Sequence, residues 1–413
     1  MAVQWAINAY LVVSAACIVL GGQAGDRFGA RLASMVGMAL LGIASVMIAL
    51  ADTQTVLLAG RALQGVAAAI AVPCTLAAVS AGAVAERRAT AIAAWTGFLM
   101  LGFSVGPLLG GALTHFTGWR MIFWLNVPLV IVAIAGLALA GAATARPHEK
   151  SNPRTDWAGF VLAAAMMVTL IFAVQAVPRA AEAPLTVVGL FAAAAVAFSL
   201  MVVVESRTKA PLVDLSFFTR RAFVMGVIIG ALSIFSIMSL LLYFNLFAQS
   251  PKGLGLTSLE AGGFLVPLSL ALLALALSAS ALAARVGTRN AITGGMVLIA
   301  IACAITAVAI SGGGKVPLVV GLFVMGAGLA VPYALAPRLA LSALAPEQVG
   351  QGSGIVNACT FLGGSAGVAG GTIAYGLGSF VAVLAMIATA GILGAVLSRG
   401  ISEDGGADAA SAG

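Results

Sequence analysis

The chain has 413 residues, of which 62% are hydrophobic and only 8% are charged, and its net charge is +7. A soluble domain of this size needs a charged, mixed surface, so this composition excludes an ordinary soluble protein and indicates a membrane protein. The basic residues are scattered through short loops and form no stripe that could follow a phosphate backbone. Nucleic acid is therefore not expected as a partner.

Thirteen apolar runs of about 18 to 25 residues, bounded by charged or Gly/Pro loops, predict transmembrane helices. They lie at roughly 5–21, 32–50, 56–80, 90–113, 121–140, 156–177, 185–204, 222–248, 260–284, 291–310, 317–341, 353–376 and 379–398. With the first inter-span loop taken as cytoplasmic, the loops on that side hold fifteen Lys and Arg residues and the other side holds four. This asymmetry predicts a cytoplasmic C-terminus and, because thirteen is odd, an N-terminus outside.

Three short stretches recur in the same order at nearly one separation, which indicates an internal duplication. The separations are 258, 259 and 261 residues, for Arg27–Arg31 and Arg285–Arg289, Ala71–Ala77 and Ala330–Ala336, and Leu101–Gly106 and Leu362–Gly367. The span at 222–248 has no partner in the first repeat. We therefore expect five spans, two linking spans and six spans, with the first helix of a fourteen-span protein lacking through truncation, a miscalled start or genuine loss.

This count predicts four regions. An N-terminal bundle would occupy 1–141, two linker spans with their cytoplasmic loops 142–221, a C-terminal bundle 222–400, and a disordered cytoplasmic tail 401–413.

A charged, glycine-rich loop is predicted between the first two spans. Its residues are Gly22, Gly25, Asp26, Arg27, Gly29 and Arg31, and it is echoed at Arg285, Gly287 and Arg289. Asp26 would precede the helix beginning near Leu32, where the helix dipole favours a carboxylate. Arg27 and Arg31 could bridge to neighbouring helix ends on the cytoplasmic face. The alternative is that these arginines are ordinary positive-inside anchors.

Arg61 is the one basic residue well inside a span. A guanidinium there is costly, which favours a functional role in a cavity or proton pathway over snorkelling to the outer surface. Gln64 lies one turn further on the same face and supports that interpretation.

Gly102, Gly106 and Gly110 share one helix face, on which another backbone could approach closely. Pro107 would bend this helix, and Gly111 completes a Gly-Pro-x-x-Gly-Gly string. Tight packing alone is the alternative interpretation of such a face.

No Asp or Glu falls at the centre of a span. Glu260, at the start of one, is the nearest candidate for proton binding, with a helix cap as the alternative. Polar residues predicted to contact substrate are Gln64, Asn8, Asn126, Tyr243, Asn245, Tyr333 and Asn357. So few polar groups suit amphiphilic or lipophilic compounds, cationic ones included; the alternative for each residue is a hydrogen bond between helices.

No metal, cofactor or disulfide is expected. The cysteines lie in apolar runs, no His has metal-ligand spacing, and no phosphate-binding Gly-rich Lys-Ser/Thr motif occurs.

Together these stretches resemble the fourteen-span drug:proton antiporter branch of the major facilitator superfamily. The family's loop signature is similar to Gly22–Arg31, departing at Ala24 and Ala30, and its Arg-x-x-Gln-Gly signature to Arg61, Gln64 and Gly65. Its antiporter signature resembles Gly102–Gly111, and a run typical of this branch resembles Trp119–Pro128. The opening Gln4–Tyr10 is similar to the family's second span, so the missing span would be the first.

The resemblance implies an all-α membrane protein with a major-facilitator fold of two pseudo-symmetric helix bundles. It implies a monomeric transporter in the cytoplasmic membrane, not an enzyme, which exports small molecules in exchange for protons. The loop arginines would latch one state of the cycle, and the antiporter glycines would limit leak. The family places a carboxylate in its first span. Alternatives are export of an endogenous metabolite, or an inactive, non-transporting relative that lacks a wall of its cavity.

Overall fold

The structure, a computed structural model, describes residues 2–82, 85–139, 157–208, 214–345 and 348–401. Helices account for nearly all of these residues, and no strand occurs among them. The α-helices are α1 Ala2–Phe28, α2 Ala30–Ala49, α3 Gln54–Gly82, α4 Ala85–Thr117, α5 Arg120–Leu139, α6 Trp157–Ala176, α7 Pro184–Glu205, α8 Arg221–Gln249, α9 Ser258–Phe264, α10 Val266–Val286, α11 Thr288–Val308, α12 Lys315–Ser342, α13 Val349–Leu377 and α14 Phe380–Ser398.

Each predicted span coincides with a helix, and the span at 260–284 coincides with α9 and α10 together. In the part of the chain that the structure describes, ten helical segments are long and apolar enough to cross a membrane. The prediction of an all-α membrane protein is therefore confirmed. Large apolar side chains on the outer faces, such as Leu129, Ile131 and Val132 of α5, are 58–69% exposed, as expected for a surface that contacts lipid.

The predicted loop at 22–31 is mostly helical, and this prediction was wrong. α1 continues to Phe28, and only Gly29 separates it from α2. Asp26 therefore lies in the last turn of α1 and not just before a helix N-terminus, so the dipole argument for it fails; its side chain lies outside the described residues. The error arose because charged residues at a membrane surface are compatible with a continuing helix. The helix has to end only where a residue adopts backbone angles that a helix does not allow.

Gly29 is that residue. Its φ of 86° and ψ of 133° lie in a region that side-chain-bearing residues rarely adopt. Gly287 separates α10 from α11 with nearly the same angles, φ 85° and ψ 146°. The two glycines are 258 residues apart in the sequence, the separation at which the predicted repeats align.

The chain divides into two compact units. The first comprises Met1–Thr96 and Phe116–Leu215, and the second comprises Gly97–His115 and Ser216–Gly413. The boundaries of the predicted bundles remain a prediction. The predicted tail beyond Ile401, and the loop at 140–156, lie outside the described residues.

In the first unit α3 packs against both α1 and α2, and α5 packs against α2. The linker helices α6 and α7 pack against each other, and α6 contacts α1, where the rings of Trp5 and Phe172 lie 5.4 Å apart. In the second unit α12 packs against α8, α10 and α11, while α8 pairs with α13 and α11 with α14.

Candidate functional site

Arg61 lies seven residues after the first residue of α3, about two helical turns from its start. Its Nε donates a hydrogen bond to the Ala6 carbonyl of α1 at 2.7 Å, and its Nη1 donates to Gln64 Oε1 at 2.7 Å. The guanidinium also stands 5.0 Å from the centre of the Tyr10 ring. The cation is thus stabilised by a carbonyl, an amide and an aromatic face, and not by a carboxylate among the described residues.

The amide of Gln64 continues this network into two more helices. Gln64 is 3% exposed, and its Nε2 donates to Ser45 Oγ of α2 at 2.9 Å. Asn126 Nδ2 of α5 donates to the same hydroxyl at 3.1 Å. Buried polar groups need such partners because leaving them without hydrogen bonds is costly. We call Arg61, Gln64, Ser45 and Asn126 the Arg61 centre.

Close packing of α1 on α3 brings this centre together. A Cβ atom on Gly65 would lie 2.8 Å from the Tyr10 carbonyl oxygen and 2.9 Å from Val13 Cβ, so only glycine fits without a shift. Ser14 Oγ donates to the Gly65 carbonyl at 3.3 Å. Asn8, two residues before Tyr10 on α1, is 1% exposed. Three of the predicted site residues, Arg61, Gln64 and Gly65, therefore lie together where α3 packs on α1 and α2, and Asn126 reaches them through Ser45 of α2.

Sequence reasoning missed two members of this region. Ser45 gave no signal, since a serine in an apolar run is common, and its partner Asn126 is 81 residues away. The sequence placed Arg120 among the four basic residues of the outer loops and in the Trp119–Pro128 run, but predicted no contact for it. Its Nη2 donates to the Ala51 carbonyl just beyond α2 at 2.7 Å.

The predicted latch residues lie at helix ends. Arg27 stands over the Phe28 ring at 5.5 Å, and Arg31 Nη2 donates to the Ala138 carbonyl of α5 at 2.6 Å. A Cβ on Gly25 would lie 2.9 Å from Cys74 Sγ, so α1 is also close to α3 here. In the second unit Arg285 lies in the last turn of α10 and Arg289 is the second residue of α11. The latch role remains a prediction.

The antiporter string lies on α4, and its two halves differ. An added Cβ on Gly102 or Gly106 would meet no described atom within 4 Å. A Cβ on Gly111, by contrast, would lie 2.5 Å from the Ser258 carbonyl oxygen of α9, and Ser258 Oγ donates to the Gly111 carbonyl at 3.3 Å. The Pro107 carbonyl oxygen approaches Gly262 of α9 in the same way. Gly110 lies on this helix between them.

Among the substrate candidates of the second unit, Tyr243 is 1% exposed. Its hydroxyl donates to the Val368 carbonyl of α13 at 2.8 Å and lies 2.8 Å from Thr372 Oγ1. These contacts join α8 to α13, as the interhelical alternative describes.

Two further candidates bond within their own helices. Asn245 donates to the Leu241 carbonyl and Asn357 to the Ser353 carbonyl. Tyr333 lies half-buried in α12. Contact of these residues with substrate remains a prediction.

Glu260 forms a capping box at the start of α9. Its Oε2 accepts hydrogen bonds from the Thr257 backbone N–H at 2.8 Å and the Thr257 hydroxyl at 2.9 Å. The Thr257 Oγ1 accepts in return from the Glu260 backbone N–H at 3.3 Å. This is the helix-cap alternative in structural form, and a proton role for Glu260 remains a prediction.

No group of three or more His, Cys, Asp or Glu side chains able to hold a metal ion occurs in the described ranges. All four cysteines are described, and each is a free thiol.

Apolar helices around a buried polar centre define a multi-pass α-helical membrane protein. The profile of the Major Facilitator Superfamily matches residues 1–368, so the chain belongs to this superfamily of membrane transporters, which are not enzymes. The fold agrees with that assignment. The human organic anion transporter MFSD10 (TETRAN) superposes with a TM-score of 0.65 at 18% identity, covering 96% of this chain and 83% of that one.

Several curated relatives match most of the chain. The tetracenomycin C resistance and export protein of Streptomyces glaucescens is 30% identical over 370 residues, which cover 89% of this chain and 68% of that protein. The lincomycin resistance protein of Streptomyces lincolnensis is 31% identical over 408 residues, which cover 93% and 82%. The methylenomycin A resistance protein of Bacillus subtilis is 30% identical over 267 residues, and there the match covers 56% of the relative's length.

Proposed function

We propose that the chain exports small lipophilic or amphiphilic compounds, including drugs, by alternating access. Relatives about 30% identical to it are named for resistance to antibiotics, and one of them for export. In alternating access a site near the middle of the bilayer opens to one side of the membrane and then to the other.

The observation that carries this proposal is the Arg61 centre. Polar and charged groups inside a membrane span are costly and usually serve a substrate or ion pathway. Nε and Nη1 of Arg61 are engaged, while its Nη2 donates no hydrogen bond within the described residues. That amino group can therefore bind a polar atom of a substrate or a water molecule, beside the aromatic face of Tyr10.

We propose further that protons drive export and that the chain works as a monomer in the cytoplasmic membrane, with its C-terminus inside and its N-terminus outside. The surplus of Lys and Arg in one set of loops supports this orientation. The acids on described helices stand at their ends, as Asp26, Glu205 and Glu260 do. If one of these acids takes part in coupling, it would do so near the membrane surface.

The test uses the full chain reconstituted in liposomes, with accumulation of a fluorescent apolar dye measured before and after a pH gradient is imposed. We expect gradient-dependent transport by the native chain, and a loss of about a hundredfold in Arg61→Leu because a charged hydrogen-bonding group is removed. Lys252→Leu is the matched control, since it also removes one positive charge but from an exposed turn. Equal transport by both variants would remove Arg61 from the mechanism.

The substrate is best identified by a growth-inhibition panel in an efflux-deficient host. Protection against several unrelated apolar compounds is the expected result. Protection against none, with dye transport absent in liposomes as well, would contradict drug export and favour a metabolite exporter or a non-transporting relative.

A further inference from the structure

Two arginines join opposite ends of the same antiparallel helix pair, α2 and α5. Arg31, at the start of α2, donates to the Ala138 carbonyl in the last turn of α5 at 2.6 Å. Arg120, at the start of α5, donates to the Ala51 carbonyl just after α2 at 2.7 Å. Each guanidinium therefore binds a carbonyl at a helix C-terminus, where a positive charge also interacts favourably with the helix dipole.

The contacts between these two ends are consistent with a single axial alignment, or register, of α2 and α5. Going along α2, a Cβ on Gly42 would lie 3.8 Å from Val130 Cβ, and Ser45 Oγ accepts from Asn126 Nδ2 at 3.1 Å. From this bond, six residues along α2 lead to Ala51 and six residues back along α5 lead to Arg120. The polar bond in the middle and the arginine bond at this end thus fix the same axial alignment.

We infer that Arg31 and Arg120 are positioning residues for the Arg61 centre. By joining the two ends of the α2/α5 pair, they set the height at which Asn126 meets Ser45. Ser45 also holds the Gln64 amide at 2.9 Å, and Gln64 Oε1 holds Arg61 Nη1 at 2.7 Å. If α5 shifted along α2 by one helical residue, about 1.5 Å, the bond between Asn126 and Ser45 would break. Ser45, which also binds Gln64, would then lose one of its partners.

This assignment differs from a moving latch. Arg31 makes its described bond within the first unit, to a helix that also carries a member of the Arg61 centre. Arg120 lies 3.7 Å from the exposed carboxylate of Asp52 and 4.6 Å from the Trp119 ring. Because exposed ion pairs contribute little, the carbonyl bond is the part of this arrangement that fixes register.

The register can be measured without transport, by a disulfide between Gly42→Cys and Val130→Cys. The 3.8 Å between their Cβ positions is the mean value for a disulfide. The reporter pair is oxidised in membranes with copper phenanthroline, and the linked peptides are quantified by mass spectrometry.

Adding Arg31→Leu or Arg120→Leu should slow cross-linking by about tenfold, because each removes a charged hydrogen bond that holds the register. Arg120→Lys, which keeps a donor, should restore most of the rate, and Asp52→Asn should stay within about twofold of the parent. Unchanged cross-linking in both leucine variants would overturn the inference.

The second arm rests on the proposed function and measures dye transport by the same proteins. We expect the leucine variants to lose transport while the cysteine pair is reduced. Once the 42–130 disulfide has formed, transport should return to within about twofold of the parent, because the disulfide then holds the α2/α5 register in place of the missing arginine bond. Locked variants that remain inactive, with a locked parent that transports, would contradict a positioning role. If the native chain transports nothing, the proposed function fails, while the cross-linking arm still decides the register claim.

Discussion

The two repeats share a backbone plan but place their polar residues differently. At the separations that relate the repeats, 258 to 261 residues, the four members of the Arg61 centre correspond to apolar residues in the second unit. Arg61, Gln64, Ser45 and Asn126 correspond to Val320, Phe323, Cys303 and Ile387. Cys303 and Ile387 are 2% and 0% exposed, whereas Val320 and Phe323 are 46% and 51% exposed, so two of the four counterparts are packed inside the second unit and two lie on its outer surface. The duplicated scaffold is thus independent of the polar centre, which one repeat carries alone.

The glycines spaced four residues apart differ in the opposite sense, because here the second repeat has the closer contacts. Gly363 and Gly367 of α13 lie against the backbone of α8 at Ala231 and Phe235. Their counterparts Gly102 and Gly106 on α4 have room for a Cβ atom, with no described atom within 4 Å. Among the described atoms, therefore, the same sequence pattern packs helices together in the second repeat, while Gly102 and Gly106 meet no neighbour.

This contrast is tested by substituting valine for one glycine of each pair, Gly367 and Gly106. In Gly367→Val the new side chain would meet the backbone carbonyl group of Phe235 and Ser239 Oγ, the latter 2.8 Å from an ideal Cβ, and we expect the free energy of unfolding to fall by about 3 kcal/mol. Gly106→Val should leave stability in detergent unchanged, as followed by thermal unfolding. Equal losses would mean that the Gly106 row is also packed.

The next largest loss of stability is expected at the glycines that separate two consecutive helices. Gly29→Ala and Gly287→Ala should each destabilise the protein by about 2 kcal/mol, because both positions need a positive φ with extended ψ. Gly294→Ala is the matched control, since it lies in α11 with open space at its Cβ and should stabilise slightly. Clearly unequal losses at 29 and 287 would weaken the equivalence of the two repeats.

These positions also show how far sequence reasoning reached. Long apolar runs predicted the helices, and spacing along one helix predicted that Gln64 would meet Arg61. Asn126 was predicted as a site residue, but Ser45 and the bond between the two could not be predicted, because that pairing depends on how three helices pack and serine is common in apolar runs. The helical course through Asp26 was missed for a related reason: hydropathy locates the edge of the bilayer but does not show whether the helix ends there.

Exchanging a polar position between the repeats tests the first contrast at a lower energy. Ile387→Asn places an amide in a fully buried apolar site and should lower the free energy of unfolding by about 1.5 kcal/mol. Asn126→Ile removes one hydrogen bond from Ser45 and should cost less stability while reducing transport. Thermal unfolding and dye transport, measured on both variants, separate the two effects. Full transport by Asn126→Ile would exclude Asn126 from the working centre.

The smallest effect concerns the α11/α14 pair, the counterpart of α2/α5. A hydroxyl bond of 2.7 Å between Thr293 and Ser398 joins its ends where an arginine joins the first pair. Thr293→Val keeps the shape and removes that bond, so a loss of about 0.6 kcal/mol is expected by thermal unfolding. A loss several times larger would mean that the Thr293–Ser398 bond stabilises its helix pair as strongly as the bonds of Arg31 and Arg120 are proposed to stabilise α2/α5.

Arg61 has one more consequence, which concerns the membrane potential. It is a fixed positive charge about two turns inside α3, and its described partners carry no formal charge. Any rearrangement that carries it along the membrane normal moves that charge through part of the electric field, worth about 2.3 kcal/mol for a full crossing at 100 mV. An inside-negative voltage would then favour the conformation in which Arg61 lies nearer the cytoplasm, so the balance between the two access states would depend on how strongly the cell is energised.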